Sequence, residues 1–343
     1  RMYKEKKPLR SNDLHIALDK ASGFKKYVQV AAIWSDNTLS DEEAYSDFWR
    51  ILNNFKMEIE ANRQSAVLCR SFDDLTQVPD GAAAFFLAVE DARLVSGNVE
   101  RMHELYDAGV RIISLNWQGE NALGGGYDTN APLTHLGRTV AAMALDLGMV
   151  PDVSHSSARV TEEIADMAAA AHRPFIATHS ASSSIARHPR NLTDEQFMRI
   201  SASGGIVGVP LVGPHLCDVS TRRATISDVI NHIEYFLGLD GQHTVCLGFP
   251  ARRDRQYRNA LPPGGCHVGA QFQRRADRRD LLSERIQFLK KNVLTGRKKN
   301  HEVRKHAQRR CCKQRFGSTG NQTGTCRRRR TLYAAGDPRT HAG

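Results

Sequence analysis

From residue 27 to residue 249 the chain alternates short apolar runs with segments of helical spacing. The runs beginning near 27, 82, 111, 149, 174, 204 and 243 are continuous rather than alternately apolar and polar. Continuous runs are what parallel strands need when helices cover both faces of their sheet. Two architectures accept such a series, a (β/α)8 barrel and an open doubly wound sheet. No GxGxxG loop opens an early helix, which weighs against the second. The fold class is therefore α/β, a (β/α)8 TIM barrel. A barrel needs eight strands and seven runs are visible, so a first strand is expected to precede Arg1.

Helices are expected over 41–63, 98–108, 134–147, 158–172, 192–201 and 226–237. Gly109 and Gly148 read as C-terminal stops, and Asn191 and Ser227 as N-caps. Residues 65–70 (SAVLCR) are apolar but too short to assign. The Gly-rich stretch 119–126 lacks the Gly-Lys-Ser/Thr ending of a phosphate loop and reads as a flexible βα loop.

Composition divides the chain. Residues 250–343 hold 25 Lys and Arg against 6 Asp and Glu, which leaves 23 against 31 in residues 1–249. The net charge of +11 is thus an average over an acidic globular part and a very basic tail. A hydrophobic content of 41% excludes wholesale disorder. No apolar run approaches the roughly 20 residues that span a bilayer, and RMYKEKKPLR is no signal peptide, so a cytoplasmic location is expected. Cys69, Cys217 and Cys246 lie in or beside apolar runs and read as buried thiols, with no disulfide framework.

Residues 149–191 concentrate the chemistry. Two strand-like runs, MVPDVSH and PFIATH, each end on a histidine, His155 and His179, with a helix-like segment between them. Parallel strands put their C-terminal ends on one sheet edge, where barrels build active sites. Neutral imidazoles there suit a divalent metal. Taken singly, a strand-end histidine is more often a structural residue than a ligand.

The segments AVE at 88–90, RIISLNWQGENALGGG at 111–126, DVSHSS at 152–157, ATHSAS at 177–182 and RHPRN at 187–191 resemble the membrane (renal-type) dipeptidase family of zinc metallopeptidases. The resemblance runs from about residue 3 to 249. It implies an amidohydrolase-like barrel that uses two zinc ions to hydrolyse small dipeptides. Carried over position by position, it implies that Glu90 bridges the two metals, that His155 and His179 hold the second, and that Arg190 takes the substrate's free carboxylate. Two departures accompany it. The family's first-strand His-x-Asp pair, which holds the first metal, is absent from the sequence, and Asp13-Leu14-His15 has the reverse order. The family's last-strand Asp-Phe-Asp-Gly is replaced by Leu247-Gly248-Phe249-Pro250, so no catalytic aspartate is expected there and activity should be impaired.

The domain reading is an incomplete dipeptidase barrel over 1–249 and a basic, Arg-rich tail over 250–343. The tail begins inside a strand and a motif rather than in a linker, which reads as a shifted frame or a decayed gene. Two alternatives to the peptidase stand beside it: a non-catalytic metal-binding relic, and nucleic-acid binding through the tail. Non-specific adhesion of the tail to nucleic acid is expected in vitro, and a homodimer stays open.

Overall fold

The computed structural model describes residues 6–14 and 16–248. The readings of the tail therefore lie outside the described residues. In chain order the elements are α1 (Leu18–Ala21), β1 (Tyr27–Trp34), α2 (Asp41–Ala61), β2 (Ala66–Cys69), α3 (Phe72–Gln77) and β3 (Ala83–Glu90). A 3-10 turn (Ala92–Val95), α4 (Arg101–Ala108), β4 (Val110–Ser114), β5 (Glu120–Asn121), β6 (Gly124–Gly125), α5 (His135–Leu147) and β7 (Val150–Pro151) follow. The series closes with α6 (Ala158–Ala170), α7 (Asp194–Ser203), β8 (Val207–Pro210), α8 (Gly213–Leu216), α9 (Ile226–Gly238) and β9 (Val245–Gly248).

The long strands run parallel. β1 pairs along all of β3, from Tyr27 opposite Ala83 to Trp34 opposite Glu90. A strand has two edges, and on the other edge β2 takes the first half of β3 while β4 takes the second. β7 then pairs β4, and single bridges at Asp152–Ile176 and Ala177–Val207 carry the sheet through residues 176–177 to β8 and β9. All seven expected runs thus appear as parallel segments, each joined to the next. Among the described residues no pairing joins β9 back to β1, so these strands form an open arc of a TIM-barrel-like α/β fold rather than a closed ring.

Local chemistry explains the boundaries. Ser40 and Glu43 close a capping box on α2, Thr134 caps α5 and Ser157 caps α6. Gly109 and Gly148 end α4 and α5 at φ of 109° and 79°, a conformation that other residues adopt at a cost. Two expected caps are corrected. Thr193, boxed with Gln196, caps α7, and Thr225, boxed with Asp228, caps α9. Asn191 instead spends its amide on the Ala186 and His215 carbonyls and so pins a loop.

The helices bury Phe48 and Leu52 of α2, Met102 of α4, Val140 of α5 and Phe236 of α9 in one cluster with Leu87, Val89 and Val207 of the strands. Cys69 and Cys217 are buried as expected, but Cys246 is exposed. It lies on β9, which has β8 on one side and no described strand on the other. No described helix is long and apolar enough to cross a membrane.

Candidate metal centre

Glu90 is the last residue of β3, and His155 and His179 follow β7 and the 176–177 segment at the same C-terminal sheet edge. One ligand atom from each lies within 4.8 Å of the others. His155 Nε2 is 2.9 Å from Glu90 Oε1 and 2.9 Å from His179 Nε2, and His179 Nε2 is 3.9 Å from the same carboxylate oxygen. Both imidazoles are nearly buried, while Glu90 is about one-fifth exposed.

Proton accounting shows what these atoms present. His155 Nδ1 lies 3.2 Å from the Trp117 carbonyl, which can only accept, so the ring proton is on Nδ1. His179 Nδ1 lies 2.8 Å from Thr178 Oγ1. The Thr178 hydroxyl donates at 2.5 Å to Asp152 Oδ2, so it receives the Nδ1 proton of His179. In its neutral form each ring therefore turns an Nε2 lone pair toward the other and toward a carboxylate. A proton shared with Glu90 or a cation relieves that crowding. Burial, then the charges of Arg190 and His155, hold His179 well below the usual histidine range, with Glu90 pulling weakly the other way. A metal bound at about 2.0–2.1 Å sets its donors roughly 2.9–3.4 Å apart; two of the observed separations, both 2.9 Å, lie at the short end of that range and the third, 3.9 Å, exceeds it. The donor set fits a divalent ion.

Aromatic rings wall the centre. Trp117 and Tyr127 lie 5.9 and 6.0 Å from His155, and Trp34 lies 5.3 Å from Trp117. Arg190 is buried and its guanidinium carbon stands 5.4 Å above the Tyr127 ring. The Gly-rich stretch is not loose. It is the β5–β6 hairpin, with Gly124, Gly125 and Gly126 buried against the carbonyls of Pro132, Ala131 and Gly119. Asn121 fastens it, donating to Asp91 Oδ1 and receiving the Leu123 and Gly124 amides.

Sequence reasoning named Glu90, His155, His179 and Arg190 but none of the residues hydrogen-bonded around His179. Asp152, three residues before His155, and Thr178, immediately before His179, are the main ones. Their signal was a carboxylate and a hydroxyl at fixed offsets from two strand-end histidines. His215 was also missed. It is buried, its ring stacks 4.6 Å from His188, and its Nδ1 has no hydrogen-bond partner among the described residues. Burial, followed by the charge of Arg190, pushes its pKa far below the ordinary 6.5.

That shift makes a prediction. Below pH 6.5 the unfolded chain protonates His215 and the folded chain does not, so this residue's contribution is intact above 6.5 and is lost as pH falls. His215→Phe is expected to flatten the pH dependence of urea-unfolding stability between pH 6 and 5 by up to about 1.4 kcal/mol per pH unit. Parallel stability curves for parent and variant would refute it.

With this geometry in place, comparison with known proteins is decisive. A family model described as membrane dipeptidase (peptidase family M19) matches residues 4–250. The chain belongs to the membrane dipeptidase family. A Klebsiella pneumoniae protein from the pqqA 5′ region is 31% identical over 211 residues, covering 58% of this chain and 77% of its own. An uncharacterized dipeptidase of Schizosaccharomyces pombe is 27% identical over 165 residues, covering 46% of this chain. The chain spans only 38% of that relative's length. Among solved structures, a Rhodobacter sphaeroides metallopeptidase liganded with a phosphinate mimic of the dipeptide L-Ala-D-Ala superposes with a TM-score of 0.69. It is 21% identical, and the match covers 82% of this chain and 90% of that one. The probable dipeptidase PvdM of Pseudomonas aeruginosa superposes with a TM-score of 0.65 at 15% identity, over 78% of this chain and 85% of its own. These superpositions show the fold.

Proposed function

We propose that this membrane dipeptidase family member is a zinc-dependent dipeptidase whose ion is held by Glu90, His155 and His179. The observation that carries the reading is the convergence of two imidazole lone pairs and one carboxylate at a strand-end edge, with both Nδ1 protons already committed. Zinc bound there would polarise a scissile carbonyl and supply hydroxide from water at neutral pH. Glu90 would supply a carboxylate oxygen to the ion beside the two imidazoles. Arg190 offers a buried, forked cation that suits the free carboxylate of a dipeptide. The rings of Trp117 and Tyr127 stand beside His155, and Trp34 stands beside Trp117.

Slow turnover is part of the proposal. β9 ends at Gly248, and the next four residues are Phe249, Pro250, Ala251 and Arg252, none of which can exchange a proton with the reacting groups as an aspartate would. Loss of such a group costs roughly 10²–10⁴-fold in rate. A non-catalytic metal-binding relic is the limit of this trend.

The test is hydrolysis of unblocked dipeptides by zinc-loaded protein, followed by ninhydrin or mass spectrometry, beside the same dipeptides amidated at the C-terminus. Cleavage of the free acids in preference to the amides is expected. Arg190→Ala should raise KM for the free acids by about 100-fold and leave the amides nearly unaffected, because a buried charged hydrogen bond is lost. Equal losses for both substrates would remove Arg190 from carboxylate binding. No zinc-dependent cleavage of any dipeptide would leave the relic.

A further inference from the structure

Asp152 is buried, and four donors surround its carboxylate. Oδ1 accepts the Ser154 amide at 3.0 Å, the Ser154 hydroxyl at 2.6 Å and the Thr178 amide at 3.0 Å, and Oδ2 accepts the Thr178 hydroxyl at 2.5 Å. Each hydroxyl has one proton, and Asp152 takes both. Their lone pairs are then left to accept, and both accept from His179. Thr178 Oγ1 takes the ring Nδ1 proton at 2.8 Å, and Ser154 Oγ takes the backbone amide at 3.0 Å. With Asp152 ionised, the alternative, Thr178 donating to Ser154 Oγ at 3.2 Å, would leave two bare oxygens facing each other at 2.5 Å; burial raises the Asp152 pKa, and its four donors oppose that shift.

We propose that Asp152 is a positioning residue that sets the tautomer of His179 through Thr178, fixing Nε2 as the metal-binding nitrogen. The Nδ1 of His155 faces a different acceptor, the Trp117 carbonyl. The proposal rests on the metal-site reading only in its consequence for zinc; the relay itself is a property of the metal-free protein.

The relay can be inverted by one atom. In Asp152→Asn the amide oxygen must stay where three donors need it, so the amide nitrogen replaces Oδ2 and donates to Thr178 Oγ1. The Thr178 proton then has to turn, and His179 Nδ1 is the nearer acceptor, at 2.8 Å against 3.2 Å for Ser154 Oγ. His179 would carry its proton on Nε2 and lose its ligand lone pair. Outer-sphere changes of this kind typically cost about 10–100-fold in metal affinity.

The experiment compares the parent chain with Asp152→Asn, Thr178→Val and Thr178→Ser. The His179 tautomer is read in the metal-free proteins by long-range proton–nitrogen NMR correlation at pH 8, and zinc affinity by competition with a chromophoric chelator. The expected result is an Nδ1 proton in the parent and Thr178→Ser, an Nε2 proton in Asp152→Asn, and a mixture in Thr178→Val. Zinc affinity should fall about 10–100-fold in Asp152→Asn, fall in Thr178→Val and recover in Thr178→Ser. A folded Asp152→Asn that keeps the Nδ1 proton and the parent affinity overturns the proposal. If Asp152→Asn does not fold, Thr178→Val decides, and parent tautomer and affinity there overturn it equally. A tautomer change in Asp152→Asn with no zinc uptake by the parent supports the relay and rejects the metal site instead.

Discussion

Zinc affinity is expected to fall by more than about 1000-fold when His155 and His179 are both replaced by alanine. Even outer-sphere partners cost about 10–100-fold, and this variant removes two of the three proposed donors. Among the described residues the geometry leaves no substitute. Arg190 is a buried cation close enough to depress His179, so it opposes a metal rather than replacing a ligand. Among the described residues Glu90, His155 and His179 are the cluster able to hold an ion. Glu90 alone, partly exposed, would retain zinc only weakly. Chelator competition on parent and double variant measures the effect. Zinc uptake unchanged in the double variant would move the ion elsewhere, with the cysteines as the next donors to test.

Gly208→Ala is expected to destabilise the fold by roughly 3 kcal/mol or more, a large effect for one methyl group. A Cβ on Gly208 would stand 2.0 Å from the Thr178 carbonyl oxygen and 3.0 Å from the Gly248 Cα. Both neighbours are backbone and cannot swing aside. Gly208 also donates to the Ala177 carbonyl and accepts the Ser180 amide, so its displacement breaks the seam between β8 and the segment that carries His179. The same variant should therefore weaken zinc binding, because Thr178 moves with its carbonyl. Gly238→Ala is the control: it ends α9 with open space around the new methyl and should change stability by less than about 1 kcal/mol. Urea unfolding reads both. A Gly208→Ala midpoint close to that of Gly238→Ala would show that the two strands are less tightly seamed than described.

The strand series was legible because parallel strands covered by helices leave long apolar runs, as in AAFFLAVE of β3. β2 was not. Its four residues are flanked by polar ones, and it covers only half of β3, so its signal is too short. Cys246 and the two caps were misread for a related reason. An apolar run does not reveal that no described strand pairs one of its sides, and Asn191 and Thr193 are equally good caps until the fold engages the Asn191 amide elsewhere. Glu90, His155 and His179 were legible because each stands at the C-terminal end of a strand-like run, and a strand's C-terminal end fixes where a side chain can meet its neighbours. Asp152, Ser154 and Thr178 were not, because an aspartate, a serine and a threonine near strand ends are ordinary caps and turns in sequence. Only their hydrogen bonds in the fold bring them to His179.

Zinc K-edge X-ray absorption on protein loaded with one equivalent of zinc tests the central claim most directly. The account predicts a first shell of nitrogen and oxygen at about 2.0–2.1 Å, with the outer-shell scattering of two imidazoles, lost in the double histidine variant. A first shell containing sulfur at about 2.3 Å, or imidazole scattering that survives the double variant, would contradict it.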